Sequence, residues 1–189
     1  MHTAAFLMLK FIMSLYLGNI ADLTEVVVCD SEPAMQAHRD LFRFSTNAYV
    51  PVYESGDDAS ENYRDAFQPV VQLIDTCNAA TLCPSRIHIA AGWENILKVA
   101  AWRADFASVR DAFIILKNAG LADSTLSPFT RSPVSDIFPY LYYGKRLDVL
   151  KKICTLARRQ IESRIKKGGV RADCHLINED SPRIVASSL

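Results

Sequence analysis

Leu147, Leu150, Ile153, Cys154, Ala157, Ile161 and Ile165 recur three and four residues apart. That spacing lines one stripe of an α-helix with apolar side chains. Lys151, Lys152, Arg158, Arg159, Glu162 and Lys166 fall on the opposite face. A chain with this segment must supply an apolar surface for the stripe to pack on. Gly168-Gly169 stops the helix, because glycine adopts the backbone of a helix end without strain.

A helical period runs through most of the 189 residues. Polar punctuation at Asp30-Ser31-Glu32-Pro33, Glu54-Ser55-Gly56-Asp57-Asp58, Cys83-Pro84-Ser85 and from Ser124 to Pro133 divides it into segments. Ser60 before Tyr63 and Ser132-Pro133 before an apolar run read as helix starts. Strand signals are weak. Val26-Val27-Val28 and Ala48-Tyr49-Val50-Pro51-Val52 are short and read as unpaired, and Pro51 lacks a ladder donor. From Ala172 onward the period fades, and an irregular tail is expected over residues 172–189.

Half of the residues are hydrophobic, which excludes a disordered chain and is enough for a sizeable core. The net charge of zero hides an asymmetry. Residues 1–90 carry 5 basic and 11 acidic side chains, whereas residues 91–189 carry 16 and 10. Ten basic residues lie between Gly144 and Arg171, against Asp148 and Glu162 alone. Such a run is either a solvated helix face or a surface for a polyanion.

The five cysteines form no regular framework and read as reduced thiols of an intracellular protein. Cys154 falls on the apolar stripe and is expected to be buried. Metal binding is not expected, because a tetrahedral zinc site usually shows two closely spaced ligand pairs. Here Cys77 and Cys83 are separated by five residues, and Cys174 adjoins His175 without a second pair. The apolar run over residues 4–17 contains Lys10 and is shorter than the roughly 20 residues a membrane span needs. It also lacks the pattern of a signal peptide. It reads as a buried helix, left without a polar cap, that would meet a missing N-terminal neighbour or a second copy in a homodimer.

Arg64-Asp65-Ala66-Phe67 and Arg110-Asp111-Ala112-Phe113 repeat one tetrapeptide 46 residues apart. With the turns at Gly18-Asn19 and Gly144-Lys145, this suggests four degenerate helical pairs stacked on one another. The segment from Gly92 to Leu121 resembles a pentatricopeptide repeat. In that family an aromatic opens the first helix, a small residue closes it, and the second helix ends near a Lys-x-x-Gly-aliphatic signature. Trp93, Ala104, Phe106, Val109, Phe113, Leu116 and Lys117-Asn118-Ala119-Gly120-Leu121 hold those places. Asp123 stands where the family usually has proline, and the repeat period here is longer than the family's.

The resemblance implies a module that binds single-stranded RNA and affects its stability or processing, in an organelle such as the mitochondrion. It implies that Asn95 and Asp123 face a base, although Asn95 also reads as a polar residue on a solvated face. Phosphates would then run along Lys145, Arg146, Lys151, Lys152, Arg158 and Arg159. Trp93 is expected to pack between helices. Tyr140-Leu141-Tyr142-Tyr143 beside Lys145-Arg146 marks a surface that suits RNA or a protein partner.

Enzymatic signals are thin. His38, His88 and His175 have no spaced Ser, Cys or Asp partner, and no phosphate-cradling Gly-rich loop is present. Asp57-Asp58 reads as an acidic turn tip. The sequence therefore predicts an all-α binding module without catalysis, cofactor or membrane span. Its expected form is a solenoid of antiparallel helical hairpins over residues 1–171. A helical scaffold for a protein partner and the regulatory all-α domain of a transcription factor are the alternatives.

Overall fold

The computed structural model of the protein describes residues 24–45, 48–51, 66–80, 83–106 and 108–189. Its centre is a five-stranded sheet in the order β2-β1-β3-β4-β5. The strands are β1 (Glu25–Cys29), β2 (Tyr49–Pro51), β3 (Arg86–Ala91), β4 (Arg171–Asn178) and β5 (Arg183–Ser187). The first four are mutually parallel, and β5 returns antiparallel along the outer edge of β4. The expectation of an all-α solenoid is therefore overturned: this is an α/β fold.

The physical reason lies in how the strands are buried. Val26, Val27 and Val28 are all fully buried, because helices cover both faces of a parallel sheet. Such a strand shows no alternation, and a short apolar run looks the same in a strand as in a buried helix. β-Branched side chains favour the extended form. Pro51 is tolerated because β2 lies at the sheet's edge. Residues 172–189, expected to be irregular, instead supply β4, a tight turn and β5.

The helices are α1 (Glu32–Phe42), α2 (Phe67–Ala79), α3 (Trp93–Ala101), α4 (Phe113–Asn118), α5 (Asp123–Leu126), α6 (Ile137–Tyr143) and α7 (Leu147–Arg164). Val26, Val28, Ile87, Ile89, Cys174 and Leu176 face α2, α3 and α7 in the main core. Val27, Cys29, Ala90 and Ile177 face α1 through Ala34 and Ala37 in a smaller one. The alternation along β1 is the period of a strand sorting its side chains between two layers.

α7 follows the stripe read from the sequence. Leu150, Ile153, Cys154, Ala157 and Ile161 are fully buried, although Leu147 in its first turn is exposed. Ile153→Val, which removes one methyl group from this packing, is expected to cost about 1 kcal/mol. A urea unfolding curve checks it. The segment resembling a pentatricopeptide repeat forms no pair of long antiparallel helices. α3 stops at Trp102, held at a left-handed φ of 53°, and a 3-10 turn over Val109–Ala112 leads into the short α4.

Trp93 does pack between helices: its indole Nε1 donates to the Val134 carbonyl at 2.8 Å, and its ring lies 5.7 Å from Phe138. The apolar segment 4–17 with its proposed dimer contact, and the turn residues 54–63, lie outside the described residues. No helix among the described residues is long and apolar enough to cross a membrane.

Candidate functional site at the carboxyl edge of the sheet

β1 and β3 are neighbours at the centre of the parallel sheet, with β2 beyond one and β4 beyond the other. The chain leaves β1 toward α1 on one face and leaves β3 toward α3 on the opposite face. The two connections diverge at this point, the place in the topology where open α/β sheets form a crevice. Open α/β sheets bind their ligands there, outside the carboxyl ends of the strands.

Two junctions line the crevice. At the end of β1, Asp30 leads into Ser31, which caps α1: its Oγ accepts from the Ala34 amide at 3.3 Å, and Pro33 occupies the first turn. At the end of β3, Gly92 precedes α3. Asp30 joins the two. Its Oδ2 accepts from the Gly92 amide at 2.7 Å and from Asn95 Nδ2 at 2.9 Å, and its Oδ1 accepts from Ser31 Oγ at 3.1 Å. Asn95 Oδ1 also accepts from the Ala66 amide at 3.2 Å. Burial raises the proton affinity of Asp30, and these three hydrogen bonds oppose that rise by favouring the anion.

Glu179 follows β4 and reaches over the same glycine. A β-carbon on Gly92 would sit 1.9 Å from Glu179 Oε1 and 3.6 Å from Asp30 Oδ2. Only a residue without a side chain leaves room for the Glu179 carboxyl. Burial pushes the pKa of Glu179 up to about 7, with the charges of Asp30 and Asp180 adding to the shift. The junction thus places a partly buried carboxyl, its pKa pushed up to about 7, beside a second, hydrogen-bonded one. Pairs of this kind serve acid–base chemistry.

The residues expected to contact RNA do not converge. Asn95 is buried, and its amide is engaged by Asp30 and Ala66, so it does not lie on a solvated face. Asp123 is exposed at the start of α5 and pairs with Lys117 at 2.6 Å. Arg146 pairs with Asp148, and Arg158 with Glu162, both at 3.2 Å. Lys151, Lys152 and Arg159 stand on the exposed face of α7, and Lys145 is exposed in the turn before it. Asn95 belongs to the crevice; the basic residues belong to the solvated face of α7 and its leading turn.

Asp30, Ser31, Gly92 and Glu179 were missed as site residues. The available signal was an apolar run ending in Asp30-Ser31 with Glu32-Pro33 behind it, and a second run, Ile87 to Ala91, ending in Gly92. Each is a strand-to-helix junction. A separate cluster, His38, His88 and His175, lies under α1 and is the group of possible metal ligands found among the described residues. No protein-family model matches the chain, and comparison with curated proteins and with solved structures found no match.

Proposed function

We propose that the chain is a small-molecule-binding α/β domain that exchanges a proton with its ligand through Glu179. The observation that carries this reading is the partly buried Glu179 carboxyl, held over Gly92 beside buried Asp30, a position where burial pushes its pKa up to about 7. Asp30 ties the two junctions together through its hydrogen bonds, and Glu179 is the group that gives or takes the proton. Two acidic groups disfavour phosphates and carboxylates, so the fitting ligand is neutral or cationic and carries an amine or hydroxyl group.

Amide chemical shifts followed during titration with a panel of small amines, alcohols and carboxylates test the reading. Amines or alcohols should shift Ser31, Gly92 and Asp180, while carboxylates leave them in place. Glu179→Gln should remove the pH dependence of that response near 7. A panel that perturbs none of these amides, or a Gln variant that responds like the parent, contradicts the proposal.

Gly92→Ala gives a second expected result. The new methyl group displaces the Glu179 carboxyl toward solvent, and its pKa falls toward the ordinary value of 4.5. A carboxyl-detected NMR titration of the variant reads this directly.

A further inference from the structure

We propose that His38, His88 and His175 bind a transition-metal ion of the Zn²⁺ type between α1 and the sheet. The three come from α1, β3 and β4, and they are 0%, 1% and 0% exposed. On the sheet, His175 pairs in register with Ala90, two residues beyond His88, so both rings project from the same face. They stack 10° from parallel, and His38 meets them edge-on at 5.2 and 5.1 Å between ring centres.

One nitrogen from each ring can be chosen so that all three lie within 4.8 Å of one another. His88 Nδ1 and His175 Nε2 are 3.2 Å apart, close to the roughly 3.3 Å edge of a tetrahedron whose metal–nitrogen bonds are about 2.0–2.1 Å.

The surroundings hold two of the rings as a ligand set is held. The Tyr49 hydroxyl lies 3.1 Å from His38 Nδ1, and the Ser187 hydroxyl lies 3.1 Å from His175 Nδ1. Partners on the outer nitrogen fix the orientation of metal-ligating histidines. On the inner side, His38 Nε2 has no hydrogen-bond partner among the described residues; His88 Nε2, the ring nitrogen not turned toward His175, has none either. A buried polar nitrogen left so is costly, and coordination would satisfy the one on His38. Three nitrogen ligands leave a fourth position for water or a small ligand. Rules based on closely spaced pairs miss this set, because its members stand 50 and 87 residues apart in sequence.

The test uses the full chain stripped with a chelator and titrated with Zn²⁺ alone, then with Co²⁺ alone. One ion per chain is expected, with a rise in Tm under Zn²⁺. The Co²⁺ form should show visible bands of a four-coordinate site and no thiolate charge-transfer band. Tyr49→Phe and Ser187→Ala keep all three ligands and should each weaken Zn²⁺ binding about 10- to 100-fold. His38→Gln, shown to be folded by circular dichroism, should abolish stoichiometric binding. No binding at micromolar metal, a thiolate band, or unchanged affinity in both hydroxyl variants would overturn the proposal.

Discussion

Asp30→Ala is expected to destabilise the protein by about 2–4 kcal/mol, because neutral hydrogen-bond donors are left buried without their acceptor. The Asp30 carboxylate is 1% exposed and accepts from Gly92, Asn95 and Ser31. Its removal leaves three donors around a small void, and each unsatisfied buried donor costs about 1–3 kcal/mol. Loss of the desolvation cost of Asp30 itself offsets part of this sum. Asp30→Asn keeps the volume but turns an amide group against donors, and should cost about 1–3 kcal/mol. Urea unfolding at pH 7 reads both as shifts in midpoint with an unchanged slope. A shift below about 1 kcal/mol for the alanine variant would show that Asp30 does not tie the two junctions together.

The second large effect depends on pH. Folding raises the pKa of Glu179 from 4.5 to about 7, so between these values the folded state binds more protons than the unfolded one. Stability therefore falls as pH rises through this window. Glutamine cannot ionise. Glu179→Gln should match the parent below pH 4.5, diverge above it, and be more stable at pH 8. A shift of this size corresponds to about 3 kcal/mol, reduced to about 1–3 by partial solvent screening. The three buried histidines act with the opposite sign. Their lowered pKa values make stability fall as pH drops below 6.5. That contribution is common to both proteins and cancels in the difference. Chemical denaturation of the pair at several pH values, in the presence of a chelator, isolates the Glu179 term.

How much could be read from the chain follows from the range of each signal. The α7 stripe is local, and burial of Ile153, Cys154 and Ala157 was legible from a window of two turns. The five cysteines, read as reduced, are all free thiols. β1 gave only a weak strand signal, because it is buried on both sides and its valine run carries no alternation, whereas β4 does alternate, Ala172, Cys174 and Leu176 with Asp173 and His175. Asp173 and His175 are polar residues that hide an interior strand.

Asn95 shows the limit most plainly. As one polar residue on a helix it suggests a solvated face, and only its contact with Asp30, 65 positions away, places it inside. The charge asymmetry was real but local in meaning. Arg146, just before α7, and Arg158 within it pair with acidic residues of α7 two and four positions on. Glu179 looked like part of a polar turn; its chemistry appears only when β4 brings it above Gly92.

The acid–base character of the crevice is tested most directly by a carboxyl-detected NMR titration of Glu179 in the full chain. A midpoint of about 7 is expected, moving down when Asp30 is replaced by Asn, because the neighbouring negative charge is then gone. A midpoint near 4.5 in the parent protein, unmoved by that replacement, would contradict the acid–base site.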